Sequence, residues 1–124
     1  MDNIRILLVE DEPEVLDALA TSLERKGFNV LRAVDGEDAL TGDKISQANL
    51  VISDIRMPRV GGAELYNRAR QLRPELPFIF ISGHTIELNR ISNQLTEPLP
   101  ILLQKPFSIE QLLQAVEQQL KTSE

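Results

Sequence analysis

The chain has 124 residues with 42% hydrophobic content, which predicts one domain with a single ordinary core. Its net charge of -6 at pH 7 argues against a direct nucleic-acid interface, and its lack of cysteine excludes disulfides and thiolate metal sites. No apolar run could span a bilayer and the first residues do not form a secretory signal, so we expect no membrane segment and a cytoplasmic location.

Apolar runs alternate along the chain with segments of helical spacing. The first run ends at three acidic residues followed by Pro13, which favours the first turn of a helix. Near the end of the chain, Ser108 and Gln111 form a capping box for a last helix. In chain order we predict a strand at 4–9, a helix at 13–26, a strand at 28–33, a short helix at 37–40, a strand at 50–52, a helix at 63–72, a strand at 78–81, a helix at 86–95, a strand at 101–103 and the last helix.

This alternation predicts the doubly wound α/β fold class. Five strands would form one parallel sheet, with about five helices covering both faces through right-handed crossovers. We expect residues 1–124 to form a single domain with no output domain, so an effector would lie on another chain or outside this segment.

Polar residues follow four of the predicted strands. Glu10 and Asp11 follow the first, Asp54 ends the third, Ser82 ends the fourth and Lys105 follows the fifth. The carboxyl ends of parallel strands share one edge of the sheet, so these side chains should converge there. Three carboxylates favour a hard divalent cation, Mg²⁺ before Ca²⁺. Phosphoryl transfer needs mainly positioning and charge stabilisation, which a metal ion and Lys105 could supply. Asp54 is then a candidate nucleophile.

Four segments in this order resemble the receiver domains of response regulators in two-component signalling. They are Leu-Val-Glu-Asp-Glu-Pro at 8–13, Ser-Asp-Ile-Arg-Met-Pro at 53–58, Ile-Ser-Gly at 81–83 and Lys-Pro-Phe at 105–107. The resemblance covers nearly the whole chain. It implies a flavodoxin-like fold with the strand order 2-1-3-4-5.

The resemblance also implies roles for individual residues. Asp54 would be the phosphoacceptor, forming an aspartyl phosphate. Asp11, Asp54 and the main-chain carbonyl of Arg56 would ligate Mg²⁺, for which Mn²⁺ could substitute, and Glu10 would help directly or through water. No organic cofactor is expected.

Ser82 and Lys105 would hold phosphoryl oxygens, and the Lys105-Pro106 bond would be cis. The resemblance implies as donor a phosphohistidine on a histidine kinase or phosphotransfer domain, or a small phosphodonor. Phosphorylation would change a partner-binding face around the predicted helix at 86–95 and the last helix, for an unknown downstream protein or for a phosphorylation-dependent dimer. The expected role is therefore signalling rather than enzymatic turnover.

The chain departs from the family pattern at several positions. Leu102 stands where many receivers carry an aromatic residue that swings inward on activation, and Pro98 and Pro100 give an unusual approach to the fifth strand. Arg56 and His84 lie two residues beyond Asp54 and Ser82, in positions that flank the phosphoryl group in receivers. We expect these two bulky side chains to slow dephosphorylation.

Two other functions are alternatives. A receiver-like interaction module that is never phosphorylated would suit Leu102 but not the complete set of site residues. A phosphatase of the haloacid-dehalogenase type also uses an aspartate nucleophile, but such enzymes carry a second acid where this chain has Arg56.

Long polar side chains elsewhere predict solvated helix faces. The two sets are the arginines at positions 56, 59, 68, 70 and 73 and the glutamines at positions 111, 114, 118 and 119.

Overall fold

The structure is a computed structural model that describes residues 4–57, 59–83, 95 and 97–122. Five strands form a single sheet within these residues. They are β1 (Arg5–Val9), β2 (Asn29–Ala33), β3 (Leu50–Asp54), β4 (Phe78–Ser82) and β5 (Ile101–Gln104).

Five helices lie within the same described residues. They are α1 (Pro13–Arg25), α2 (Gly36–Leu40), α3 (Lys44–Gln47), α4 (Gly62–Leu72) and α5 (Ile109–Thr122). Helix α1 begins at Pro13, whose fixed φ suits a first helical position, and ends before Gly27, whose φ is 98°. The capping box of α5 is confirmed, because the Gln111 N–H donates to Ser108 Oγ at 3.1 Å and the Ser108 N–H donates to Gln111 Oε1 at 2.8 Å.

The strands are all parallel and lie in the order β2-β1-β3-β4-β5, which confirms the predicted fold class and strand order. Every residue of β3 and β4 is buried. Strands in the middle of a parallel sheet are covered on both faces, so continuous apolar runs are the pattern they need. The register pairs Asp54 of β3 with Ile81 of β4, which brings the ends of these two strands side by side.

Two apolar clusters cover the two faces of the sheet. Successive strand residues alternate between them: Ile79 packs with α1 and α5, whereas Phe78 and Phe80 pack with the helices on the other face. Tyr66 of α4 lies edge-on to Phe78, with ring centroids 5.0 Å apart. The buried side chains of α1 and α5 are therefore on one face, and those of α2, α3 and α4 are on the other.

The four-residue helix α3 was not predicted. Ile45 is its only buried residue, so the segment has no apolar repeat by which a helix could be recognised. The helix predicted at 86–95 lies outside the described residues except for Leu95. No helix in the described part of the chain has the length and apolar character needed to cross a membrane.

Candidate functional site

The polar residues that follow the strands meet at one edge of the sheet. Glu10 follows β1, while Asp54 and Ser82 end β3 and β4, and all three side chains are buried. The Lys105 N–H donates to the Ser82 carbonyl at 2.8 Å, which continues the pairing of β4 with β5 by one residue. The sheet thus places Lys105 beside the other strand ends.

Lys105 links the two buried carboxylates of the site. Its Nζ lies 3.1 Å from Asp54 Oδ2 and 3.9 Å from Glu10 Oε1. The Lys105-Pro106 peptide is cis, as predicted. A cation therefore already stands beside the carboxylate of Asp54.

Glu10, Asp11 and Asp54 form a cluster in which one oxygen of each carboxylate lies within 4.8 Å of the others. Asp11 is exposed, so the cluster is open to solvent on one side. Oxygen donors in this arrangement suit a hard cation such as Mg²⁺, which takes one or two carboxylates and retains several waters. The donor set therefore fits the expected metal.

The electrostatics of the cluster also favour a cation. Burial raises the pKa of the Glu10 carboxyl to about 7; the hydrogen bond from the Glu12 N–H opposes this shift, and the charge of Asp54 adds to it. Burial alone would lower the pKa of the Lys105 ammonium, but the hydrogen bond and charge of Asp54, with the charges of Glu10 and Glu12, raise it above its ordinary value. The cluster thus has three carboxyl groups beside one ammonium group, and it keeps an excess of negative charge even if Glu10 is partly protonated.

The main chain around Asp54 fixes its carboxylate. The Ile55 N–H continues the β3–β4 pairing by donating to the Ile81 carbonyl at 3.1 Å. The Arg56 N–H then donates to Asp54 Oδ1 at 3.3 Å, on the oxygen that Lys105 does not bind. Each carboxylate oxygen thus has its own donor.

Comparison with known proteins assigns the family. The family model described as the response regulator receiver domain matches residues 6–117. The chain belongs to the response regulator receiver family. In two-component systems, receiver domains are signalling modules, and the acidic cluster lies in this one at the carboxyl edge of the sheet.

Three comparisons illustrate the similarity. The receiver is 30% identical over 122 residues to the alkaline phosphatase synthesis transcriptional regulatory protein PhoP of Bacillus subtilis, covering 98% of this chain and 50% of PhoP. A receiver protein structure from Sinorhizobium medicae has a TM-score of 0.84 and 32% identity, with 98% of this chain and 97% of that chain covered. The TrrA structure from Thermotoga maritima, a complex with Mg(2+)-BeF, has a TM-score of 0.83 and 27% identity, with 94% and 99% covered.

The structure brings the predicted site residues of this receiver to one edge. They are Glu10, Asp11, Asp54, Arg56, Ser82 and Lys105. Their roles in chemistry stay predictions. His84, which we expect to flank the phosphoryl group, lies outside the described residues.

Leu102 occupies the middle of β5, opposite Phe80 of β4. It is partly buried and packs against the cluster that contains Tyr66, Phe78 and Phe80. On this face of the sheet, the aromatic side chains of the described residues thus lie on β4 and α4 rather than at position 102.

An ion pair that involves the loop after Asp54 was not predicted. Arg59 donates from Nε and Nη2 to Asp35 Oδ2, at 3.0 and 2.6 Å. Asp35 followed by Gly36 is a pattern typical of a turn into a helix, and no sequence signal joins it to an arginine 24 residues away. The pair connects the loop after β3 with the turn after β2.

The prediction of solvated arginine and glutamine faces is correct for Arg68 but wrong for Arg70 and Gln119. Arg70 is 8% exposed and Gln119 is 5% exposed. Both hold main-chain carbonyls just before β5: Arg70 binds those of Glu97 and Pro98, and Gln119 binds that of Leu99. Carbonyls of an irregular segment need donors, and long side chains can supply them from within the protein.

Proposed function

We propose that this receiver is a phosphoacceptor switch in a two-component phosphorelay. Asp54 would accept a phosphoryl group from a phosphohistidine on a histidine kinase or phosphotransfer domain. The observation that carries the proposal is the position of Lys105 Nζ, 3.1 Å from Asp54 Oδ2, at the edge where Glu10 and Asp11 also lie. A nucleophilic carboxylate, a fixed cation and a place for a metal are the parts that phosphoryl transfer requires.

The proposed metal site uses oxygen ligands from the end of β3 and from the loops that follow β1 and β3. Asp11, Asp54 and the main-chain carbonyl of Arg56 would hold Mg²⁺, or Mn²⁺ as a substitute, and Glu10 would act directly or through water. When bound, the ion would supply positive charge to the phosphoryl oxygens. The short distances among the three carboxylate oxygens support this assignment.

The proposed transfer forms one bond and breaks one. A carboxylate oxygen of Asp54 attacks phosphorus, and the P–N bond of the donor breaks with its electron pair leaving on the imidazole nitrogen. The donor ring carries a proton on its other nitrogen, so it leaves as neutral imidazole. Lys105 would bind a phosphoryl oxygen and balance its charge; its raised pKa supports a role as a permanent cation rather than as a proton donor. Ser82, buried at the end of β4, would donate its hydroxyl to another phosphoryl oxygen.

The proposed outcome is a change of partner rather than turnover of a substrate. Phosphorylation adds negative charge at the sheet edge, and differential binding of a few kcal/mol is enough to shift a two-state population. This chain spans half the length of PhoP. We therefore propose, without assigning an output to this chain, that phosphorylation changes its binding to a downstream protein or to a second copy of the receiver. The absence of cysteine supports action in the reducing cytoplasm.

The direct test is phosphorylation by a small donor. The protein is incubated with Mg²⁺ and phosphoramidate, and its intact mass is measured beside that of Asp54→Asn. We expect a gain of one phosphoryl group that is absent in the variant, is absent without Mg²⁺ and is removed by hydroxylamine, which cleaves acyl phosphates.

A matched control separates the acceptor from other aspartates. Asp17→Asn removes an exposed carboxylate of α1 that pairs with Arg32 of β2, and this variant should be phosphorylated like the parent. Lack of phosphorylation in a folded parent, with phosphoramidate and with a phosphohistidine donor, would contradict the proposal. It would instead support an interaction module that works without phosphorylation, the function that Leu102 favours.

A further inference from the structure

The loop that follows β3, described at residues 55–57 and 59–61, carries the Arg56 carbonyl of the proposed metal site; we call it the acceptor loop. Its base is closed by the Gly62 N–H, which donates to the Ile55 carbonyl at 2.9 Å. A Cβ at Gly62 would lie only 2.9 Å from the Asp54 carbonyl oxygen, so the returning chain passes directly over the acceptor residue. The next residue, Arg56, donates its main-chain N–H to the Asp54 carboxylate.

The far end of the acceptor loop is held by an ion pair. Arg59 donates from Nε and Nη2 to Asp35 Oδ2, at 3.0 and 2.6 Å, although its own side chain is 63% exposed. The Asp35 side chain is 4% exposed and also caps α2 by accepting from the Asp38 N–H at 2.7 Å. These two contacts, the Asp38 N–H first and Arg59 second, hold the pKa of the Asp35 carboxyl below its ordinary value, so the carboxylate stays charged near neutral pH.

The backbone at this contact is tightly constrained. Arg59 has a φ of 67°, in the left-handed region that residues other than glycine rarely adopt. A Cβ at Gly36 would lie 2.3 Å from the Val60 carbonyl oxygen, so the acceptor loop touches the turn after β2 without any room for a side chain. Such a conformation persists only where surrounding contacts hold it, and the Arg59–Asp35 pair is such a contact.

We propose that Arg59 and Asp35 are positioning residues that hold the acceptor loop so that the Arg56 main-chain carbonyl is ready to bind Mg²⁺. Arg56 lies between the two anchors, with Ile55–Gly62 on one side and Arg59–Asp35 on the other. Neither Arg59 nor Asp35 touches the reacting groups. They lower the free-energy cost of ordering the acceptor loop when the ion binds. This inference rests on the metal site proposed above.

The test measures Mg²⁺ affinity by isothermal titration in Arg59→Gln, Asp35→Asn and the double variant. Asparagine can still cap α2, so Asp35→Asn removes the charge and keeps the cap. We expect the Mg²⁺ Kd to rise roughly tenfold in each single variant. This is the lower end of the loss of metal affinity, about 10- to 100-fold, that follows when a residue that orients a metal ligand is replaced. The double variant should show roughly the same tenfold rise rather than a hundredfold one, because both changes break the Arg59–Asp35 pair. The second contact of Arg59, with Glu37 at 3.5 Å, is between exposed side chains and should contribute little.

Two further measurements separate positioning from a general loss of structure. Arg59→Lys keeps a cation and should recover part of the affinity, whereas Arg68→Gln breaks the exposed pair with Glu64 on α4 and should bind Mg²⁺ like the parent. At saturating Mg²⁺ the phosphoramidate reaction of the Arg59→Gln and Asp35→Asn variants should approach the parent rate, within about threefold, because the bound ion then orders the loop itself.

The outcomes distinguish this inference from the proposed function. A parent that binds no Mg²⁺ would overturn both. A parent that binds Mg²⁺ and is phosphorylated, with the Kd values of both pair variants within about twofold of it, would overturn the positioning role alone. Additive losses in the double variant, or rates that stay low at saturating Mg²⁺, would also overturn it.

Discussion

Replacing Glu10 with glutamine should stabilise the metal-free protein above neutral pH. The Glu10 side chain is 2% exposed, and burial, opposed by the Glu12 N–H and reinforced by the charge of Asp54, raises its pKa from 4.5 to about 7. A shift of this size corresponds to at most about 3 kcal/mol of unfavourable free energy for the charged carboxylate. The attraction of Lys105, 3.9 Å away, opposes the shift and is already included in it. Because glutamine must still bury a polar amide, we expect a gain of roughly 2 kcal/mol.

The pH dependence gives the sign of the effect. The folded protein holds the Glu10 proton more tightly than the unfolded chain, so the contribution of Glu10 to the stability of the parent should fall as pH rises from about 4.5 to about 7. Glutamine does not titrate. The gain in the free energy of unfolding should therefore be near zero at about pH 4.5 and reach its full size near pH 8.

Urea unfolding followed by circular dichroism measures this difference, since the chain has no tryptophan. Glu117→Gln, an exposed change on α5, is the matched control and should leave the pH profile as it is in the parent. Saturating Mg²⁺ should stabilise the parent more than Glu10→Gln, so the difference between their free energies of unfolding should become smaller. A gap of the same size at about pH 5 and about pH 8 would refute the assignment of the shift to Glu10.

Three further predictions follow from other contacts. Arg70→Met should lower the free energy of unfolding by roughly 3 kcal/mol, because main-chain carbonyls lose the donor that this buried side chain supplies. Arg68→Met removes only an exposed ion pair and should lower it by less than about 0.5 kcal/mol. Equal urea midpoints for the two variants would contradict this difference. Gly36→Ala should cost about 2 kcal/mol in the same assay because its Cβ would meet the Val60 carbonyl; an unchanged midpoint would contradict that contact. Lys105→Met should slow phosphorylation by phosphoramidate roughly a hundredfold with Mg²⁺ binding retained, whereas a parent-like rate would exclude Lys105 from the reaction.

Much of the fold could be predicted because apolar patterns report burial directly. Strands β3 and β4 are buried on both faces, and short apolar runs that stop at turn residues are the pattern such strands need. Helix α3 could not be found in this way, because a four-residue element with Ile45 as its one buried residue has no period. The sheet order was predicted through the family resemblance, since the pattern of one strand does not name its neighbours.

The site could be predicted for a topological reason. Residues that directly follow parallel strands must meet at one edge, so the positions of Glu10, Asp54 and Lys105 along the chain already imply that they are close in space. The chemistry then follows from residue type. The distances and the raised pKa of Glu10 need coordinates, because they depend on how deeply each side chain is buried.

The two arginines of α4 show where this kind of prediction ends. Arg68 and Arg70 are two residues apart, yet Arg68 is 55% exposed beside Glu64, while Arg70 donates to Tyr66 Oη and to the carbonyls of Pro74, Glu97 and Pro98. A helical pattern places Arg70 on a face but does not state which carbonyls lie opposite. Those carbonyls belong partly to an irregular segment whose path no periodicity describes. The difference between a solvated arginine and one that fastens the approach to β5 is thus a property of tertiary contacts.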